Sequence, residues 1–275
     1  MRIEPLSGCG AMVHGVELAG AGAAEIRKLR TALFDYGALY VRRQTLTPEE
    51  HIAFAEKLAP IDVNRFFPAD PNYPVIAKVE KTAAQTTNIG GGWHTDHSYD
   101  QEPAMGSVLV ARDLPPRGGD TLFADMYAAY ESLEPALKAR LAGMRAIHAS
   151  DHVFGEGGVY AGSDRQELAR GGVPTPETIH PVVIRHPGSG KPALYVNPGF
   201  TLRFEGMTRE DSLPLLKALF AHALKDDHIQ RFSWEPGSVA IWDNRATWHF
   251  AKNDYHGHYR LMHRITLAGE ALEAA

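Results

Sequence analysis

The stretch GGWHTDHSYD at residues 91–100 contains side chains that could bind a metal ion. His94 and Asp96 are two residues apart, and in an extended segment such residues project from the same face. A third ligand, His249, is available in TWHFA near the C-terminus. Two histidines and one carboxylate can occupy one face of an octahedral ion and leave three positions open. Because Cys9 is the single cysteine, any metal must be bound through nitrogen and oxygen atoms.

Two arginines follow His249 and could lie close to the same metal. Arg260 and Arg264 are four residues apart in YRLMHRIT, so a strand would place both on one face. Guanidinium groups bind carboxylates through two parallel hydrogen bonds, which favours an acidic co-substrate. Thr121 in GGDTLFAD could donate its hydroxyl to the same carboxylate. The ligand set is typical of non-haem Fe(II) oxygenases, whose open positions accept a co-substrate and dioxygen.

Short strands make up most of the regular segments between these motifs. They read VIAKVE, GSVLVAR, TLFAD, HPVVIR, ALYVN, RFSW, SVAIW and RLMHRITLA. Helical periodicity is found at 24–37, 46–60, 126–143 and 207–224. The predicted fold is therefore mainly β with flanking helices, as in a sandwich or a jelly roll. The stretch 150–190 is rich in Gly, Ser and Pro, and a loop of that length is typical of a lid or binding loop.

Several blocks together resemble the taurine dioxygenase and 2,4-dichlorophenoxyacetate dioxygenase family of Fe(II)- and 2-oxoglutarate-dependent enzymes. These blocks are WHTD, GGDTLFADMYAAYESL, WDNRATWHFA and YRLMHRIT, and the resemblance extends from HGVEL to the final strand. It implies one domain over residues 1–275 with a double-stranded β-helix fold, a cupin-like jelly roll. It also implies Fe(II), 2-oxoglutarate and O2 as cofactor and co-substrates, with 2-oxoglutarate converted to succinate and CO2 while a substrate carbon is hydroxylated.

The same resemblance implies a role for individual residues. Those matching Fe(II) ligands are His94, Asp96 and His249. Thr121 and Arg260 match the residues that hold the distal carboxylate of 2-oxoglutarate, and Arg264 matches a residue that contacts the substrate anion or the co-substrate.

The substrate implied by these residues is a small organic anion. Arg264 and the backbone N–H of His97 would bind a sulfonate, sulfate or carboxylate. Asn64 and Phe67 stand where the taurine enzyme has a histidine and a tyrosine that contact the sulfonate, which argues against taurine. Alkyl sulfates, alkanesulfonates and aryloxyalkanoates stay open. Phe154 and Phe200 match residues that wall the substrate pocket, although plain packing explains an aromatic residue equally well.

Two other functions compete with this interpretation. A metal-dependent hydrolase or isomerase on a cupin-like barrel would use Zn(II) to activate water, but it gives Arg260 and Thr121 no role. A non-catalytic binding protein would be expected to have lost metal ligands, whereas the set His94, Asp96 and His249 is intact.

Composition narrows the partners and the compartment. The 275 residues carry a formal net charge of -5 without a basic stripe, so we expect no nucleic-acid partner. No uncharged apolar run reaches 18 residues and the start lacks an export signal, so we expect a cytoplasmic protein without a membrane partner. Family resemblance suggests a homodimer or a homotetramer.

Overall fold

The computed structural model describes residues 1–169 and 176–275. Its helices are α1 (Ala23–Tyr36), α2 (Pro48–Leu58), α3 (Met126–Glu131), α4 (Pro135–Leu141), α5 (Asp151–Phe154) and α6 (Arg209–Ala223). Short 3-10 helices lie at Gln166–Leu168 and Asp226–His228. The strands are β1 (Arg2–Pro5), β2 (Ala11–His14), β3 (Ala38–Val41), β4 (Ile61–Asp62), β5 (Ala77–Lys81), β6 (Gly106–Asp113), β7 (Thr121–Asp125), β8 (Arg145–His148), β9 (Thr178–Pro181), β10 (Val183–Arg185), β11 (Pro192–Leu194), β12 (Thr201–Phe204), β13 (Ile229–Phe232), β14 (Val239–Asp243), β15 (Thr247–Ala251) and β16 (Arg260–Leu267).

Two sheets enclose the part of the core nearest the predicted metal ligands. The larger has the order β1-β2-β3-β14-β6-β16-β4, with β5 also paired to β16, and the smaller has the order β13-β7-β15. Phe123 of β7, Trp242 of β14 and Met262 of β16 pack together between them. This arrangement confirms the predicted jelly roll. The remaining strands form the sheets β12-β8-β9 and β10-β11.

The outer face of the larger sheet is covered by α1 and α2. Side chains alternate along β14, so Val239 and Ile241 point to the helices while Trp242 points between the sheets. Helix α2 begins with a capping box, in which Thr47 Oγ1 accepts from Glu50 N at 3.2 Å and Glu50 Oε2 accepts from Thr47 N at 2.8 Å. Helix packing on this face holds β14 and β16 in place, and these strands lead to the site.

Some predicted elements are wrong in detail. The helical stretch 126–143 is two helices, because Pro135 lacks the N–H that a continuing helix needs and instead occupies the first turn of α4. The predicted strand HPVVIR is divided between β9, which pairs with β8, and β10, which pairs with β11. The stretch 150–190 contains α5, a 3-10 helix, β9 and β10, while its residues 170–175 lie outside the described residues. In the described ranges no helix combines the length and the apolar character needed to cross a membrane.

Candidate active site

The predicted ligands His94 and His249 are neighbours across two antiparallel segments. His249 N donates to His94 O at 2.8 Å and His94 N donates to His249 O at 3.2 Å, which places the imidazole centroids 4.2 Å apart. His94 Nδ1 donates to Gly92 O at 2.7 Å. This hydrogen bond leaves the Nε2 lone pair of His94 free toward the site. The expected strand at His94–Asp96 is only this isolated bridge, because a turn begins at Asp96.

Asp96 completes the predicted set. Its Oδ1 lies 3.5 Å from His94 Nε2, and its Oδ2 lies 3.5 Å from His249 Nε2. Burial opposes ionisation of this carboxyl, but Arg264 and the two histidines hold its pKa well below the ordinary value. Burial and the neighbouring His94 lower the pKa of His249 well below its ordinary value. An ionised carboxylate and a neutral imidazole are the forms that bind a metal ion.

The separation of these atoms fits a divalent ion. Ligand atoms about 2.1 Å from such an ion lie about 3 Å apart when they are adjacent in an octahedral set. One nitrogen or oxygen of each of the three residues lies within 4.8 Å of the others, so small side-chain adjustments close the set. The donor set, two imidazoles and one carboxylate, is the one used by Fe(II) oxygenases.

Glycines allow the chain to pass close to His94. A Cβ at Gly199 would lie 2.7 Å from His94 Cβ, and a Cβ at Gly90 would lie 3.3 Å from His94 Cε1. Gly90 also has a φ of 76°, which disfavours other residues. Of the two glycines in the motif itself, Gly92 has open space around a Cβ. A Cβ at the other, Gly91, would lie 2.5 Å from Asn88 Oδ1, so the close approach to His94 itself is made by Gly90 and Gly199.

The two predicted arginines lie on the inner face of β16, as their spacing predicts. Arg264 Nη2 donates to Asp96 Oδ2 at 2.6 Å, and its Nε donates to Ser107 Oγ at 2.9 Å. Arg260 is 4% exposed, its Nη2 donates to Gly119 O at 3.2 Å, and its Nε has no hydrogen-bond partner among the described residues. A buried guanidinium without a carboxylate partner fits the binding of an acidic co-substrate.

Thr121 is linked to Arg260 through a tryptophan that the sequence analysis did not select. Trp234 Nε1 donates to Thr121 Oγ1 at 3.0 Å, and the Arg260 guanidinium lies 5.9 Å from a ring centroid of Trp234. Because the hydroxyl accepts from Trp234, its own proton is free to be donated elsewhere. The only sequence signal for Trp234 was its place as the last residue of the predicted strand RFSW.

A cavity of about 430 Å³ opens onto His94 and Asp96. Four of the five predicted substrate residues line it: Asn64, His97, Phe154 and Phe200. The fifth, Arg264, contacts Asp96 and lies 5.6 Å from the ring centroid of Phe67, which lines the cavity.

The cavity wall is largely aromatic. Phe66 stacks on Phe154 with centroids 4.2 Å apart, and Tyr99 meets Phe200 edge to face at 4.7 Å. Tyr160 stacks on Phe154 at 5.7 Å. Three of these aromatic residues were not predicted from the sequence, Phe66, Tyr99 and Tyr160, although Tyr99 lies only three residues beyond Asp96.

Asn64 and His97 are held by the protein around them. Asn64 Oδ1 accepts from the backbone N–H groups of Phe66 and Phe67 at 2.9 and 3.0 Å, so the side chain shapes its own turn. His97 Nδ1 lies 3.0 Å from Asp100 Oδ2, and its Nε2 lies 3.4 Å from Asn64 Nδ2. The backbone of His97 is left-handed, with φ 58°.

A jelly roll that carries two histidines and an aspartate beside two buried arginines defines the class of non-haem oxygenases. Residues 2–266 match the model of the taurine catabolism dioxygenase TauD, TfdA family. The alpha-ketoglutarate-dependent sulfate ester dioxygenase of Pseudomonas putida is 32% identical, covering 98% of this chain and 90% of that protein. For the alpha-ketoglutarate-dependent 2,4-dichlorophenoxyacetate dioxygenase of Cupriavidus pinatubonensis the identity is 30%, with coverage of 98% and 97%.

A crystal structure of a taurine dioxygenase from Burkholderia xenovorans matches with a TM-score of 0.82 at 32% identity, covering 98% of this chain and 92% of that one. The chain belongs to the TauD/TfdA family. The predicted enzyme class, a 2-oxoglutarate-dependent dioxygenase, is thereby confirmed, as are the family's cofactors Fe(II), 2-oxoglutarate and O2.

Proposed function

We propose that the protein hydroxylates a small organic anion of the alkyl sulfate, alkanesulfonate or aryloxyalkanoate type, with release of succinate and CO2. The observation that carries this proposal is the aromatic cavity of about 430 Å³ that opens onto His94 and Asp96. In the overall reaction 2-oxoglutarate, O2 and a substrate C–H bond give succinate, CO2 and a substrate C–OH bond. When bound, the iron supplies the oxidative chemistry, and the protein positions the reactants and excludes water.

In this proposal His94, Asp96 and His249 hold the Fe(II). The Gly92 carbonyl fixes the tautomer of His94, so Nε2 faces the ion. Arg264 holds the Asp96 carboxylate in one orientation through Oδ2. Thr121 and Arg260 hold the distal carboxylate of 2-oxoglutarate, which supplies the buried guanidinium with the anion that the described side chains do not provide.

The substrate class follows from the charge and shape of the cavity. Arg264 is the cation adjacent to Asp96, which favours an anionic head group near the metal. Phe154 and Phe200 supply apolar surface for an alkyl or aryl tail, while Asn64 and His97 supply polar contacts at the side of the cavity. Asp96 is the one carboxylate among the described lining residues, so the ammonium group of taurine has no free carboxylate to pair with. Relatives that act on a sulfate ester and on 2,4-dichlorophenoxyacetate support the same class.

Anaerobic titration tests this function. Fe(II) and 2-oxoglutarate are added to the metal-free protein, and the weak visible absorption band expected when both bind without oxygen is recorded. Hexyl sulfate, hexanesulfonate, phenoxyacetate and taurine are then added in separate experiments. We expect the band to form, to shift with at least one of the first three anions and not with taurine, and to be absent from His94→Ala. After air is admitted, the amount of succinate released should equal the amount of hydroxylated product. A shift with taurine alone would contradict the substrate class, and absence of the band would contradict the assigned ligands.

We also propose that part of the stretch 150–190 acts as a lid on the cavity. His152, Phe154 and Tyr160 line the cavity, and Val159 beside them is 67% exposed. The segment is attached to the opposite rim, where Asp164 Oδ1 accepts from Thr87 N at 3.1 Å. Limited proteolysis with and without 2-oxoglutarate and substrate should show protection of this segment, and equal cleavage in both conditions would contradict a lid.

We propose a homodimer or homotetramer on family resemblance, and a cytoplasmic location on the sequence features of the N-terminal segment and the apolar runs. Light scattering of the purified protein gives the mass of the particle against that of the 30.2 kDa chain. Cell fractionation tests the compartment.

A further inference from the structure

Lys81, at the end of β5, is a buried cation without a polar partner. Its side chain is 2% exposed, and Nζ has no hydrogen-bond partner among the described residues. The nearest recorded contact of Nζ is the ring of Tyr255, 4.5 Å from the centroid. Burial lowers the pKa of this lysine. A buried ammonium is costly in free energy unless an anion or several acceptors compensate it.

Lys81 lies directly opposite Arg260 on the neighbouring strand. The register pairs the two residues across β5 and β16, so both side chains project from the same face of the sheet. The Arg260 guanidinium lies 5.8 Å from the same Tyr255 centroid and is itself buried. Like charges directly opposite each other destabilise a sheet. The pair therefore needs a compensating anion.

The nearby carboxylates are engaged elsewhere. Two of them, Asp120 and Asp164, bind Arg231 with Ser233 and Thr86 with Thr87, respectively. The other two, Glu80 and Asp254, bind Lys78 with Tyr259 and Lys252 with Gly119 N, respectively. In the described ranges neither Lys81 nor Arg260 forms an ion pair with any carboxylate. Burial lowers the pKa of Lys81 most; Asp164 raises it, and Arg165 lowers it by a smaller effect. Asp164 is hydrogen-bonded to Thr86 and Thr87 and so offsets part of the charge without an ion pair to Lys81.

We propose that Lys81 is a second cationic residue, beside Arg260, that binds the distal carboxylate of 2-oxoglutarate. This rests on the proposed role of Arg260. A carboxylate on the face of the sheet from which both side chains project neutralises both charges, and Thr121, linked to Arg260 through Trp234, contributes a hydroxyl. Lys81 then selects for 2-oxo acids that carry a second carboxylate, because a monoanionic 2-oxo acid leaves the pair uncompensated.

The test compares two ligands that differ at the distal end. Calorimetry under anaerobic conditions measures binding of 2-oxoglutarate and of 2-oxovalerate, which lacks the distal carboxylate, to the Fe(II)-loaded protein. Lys81→Met should weaken the binding of 2-oxoglutarate about 10- to 100-fold, which is the range for loss of a hydrogen bond to a charged group. The same substitution should change the affinity for 2-oxovalerate less than about twofold. Lys81→Arg should retain most of the affinity for 2-oxoglutarate that Lys81→Met loses. The control Lys78→Met removes the same charge from the same strand, at a half-buried residue paired with Glu80, and should change neither ligand.

Thermal unfolding of the metal-free protein gives a second readout. Lys81→Met should raise or preserve the melting temperature, because it removes a buried cation that has no hydrogen-bond or ion-pair partner among the described residues, and should reduce the stabilisation by 2-oxoglutarate. If Lys81→Met weakens the binding of 2-oxoglutarate and 2-oxovalerate equally, or leaves the binding of 2-oxoglutarate unchanged, the proposal is wrong. Lys81→Gln serves the same comparison if the methionine variant does not fold. Failure of the unchanged protein to bind 2-oxoglutarate would instead refute the proposed function, and this role of Lys81 with it.

Discussion

Gly199 lies so close to His94 that it has no room for a side chain. A Cβ at residue 199 would lie 2.7 Å from His94 Cβ and 3.5 Å from His94 Cα. Carbon atoms in ordinary contact are about 3.5–4.0 Å apart. The variant Gly199→Ala must therefore move His94 or its own backbone by about 1 Å. His94 has little freedom to yield without loss, because it is bridged to His249 and its Nδ1 is bonded to Gly92.

This displacement should affect metal binding and turnover more than folding. Overpacking of this kind costs about 1–3 kcal/mol of unfolding free energy. A misplacement of about 1 Å at a reacting centre costs on the order of 100-fold in rate. We expect Gly199→Ala to retain its fold, to bind Fe(II) about 10- to 100-fold more weakly, and to form succinate about 100-fold more slowly. Chelator competition measures the metal affinity, and urea unfolding measures the stability.

Gly92→Ala is the matched control, since Gly92 lines the same cavity and a Cβ there meets no atom within 4 Å. Its carbonyl still accepts from His94, so we expect metal affinity and turnover within about twofold of the unchanged protein. Equal effects of the two alanine substitutions, or full metal affinity in Gly199→Ala, would show that the position of His94 beside Gly199 does not determine metal binding.

Three further predictions concern other residues. His249→Ala should lose Fe(II) binding at pH 7 in chelator competition, because it removes one of three ligands, and retained affinity would exclude His249 from the set. Trp234→Phe should raise KM for 2-oxoglutarate about two- to tenfold with little change in kcat, because Thr121 loses one hydrogen bond; a fall in kcat alone would contradict a positioning role. Burial, together with nearby Arg112 and His263, lowers the pKa of His51 to about 3. The folded state thus binds fewer protons than the unfolded state, so this contribution to stability is complete above about pH 6.5 and falls by about 1.4 kcal/mol per unit toward pH 3. His51→Met should flatten urea-unfolding stability between pH 7 and 5, and an unchanged slope would contradict the assignment.

The proposed metal ligands were accessible to sequence reasoning because their chemistry is evident in their residue types. Histidine and aspartate are among the few residue types that bind metals, and His94, Asp96 and His249 lie in distinctive sequence blocks. The four-residue spacing of Arg260 and Arg264 predicts that both lie on one face of a strand. The cavity wall was less accessible, since Phe66, Tyr99 and Tyr160 come from separate segments and are of types found in any core. Only tertiary packing brings them together.

Lys81 shows the same limit for a charged residue. In the sequence VIAKVEK, Lys78 and Lys81 are three residues apart, so a strand places them on opposite faces. The sequence does not indicate which of the two is buried, because most lysines are solvent-exposed. The partner strand of Lys81, β16, begins 179 residues later, so no local pattern indicates that Lys81 will face Arg260. The register between two distant strands, and not the composition of either one, creates the buried pair.

The register of strand β16 positions two arginines of the proposed site and part of the apolar core at the same time. Arg260 and Arg264 point between the sheets, whereas Ile265 and Leu267 pack beneath α2 on the other face. A slip of one residue in its pairing with β6 would turn both guanidiniums toward the helices and both apolar side chains toward the metal. The cost of burying those charges in the apolar layer therefore disfavours the wrong register. The core that stabilises the sheet is for that reason also what fixes the position of the two cations relative to Asp96.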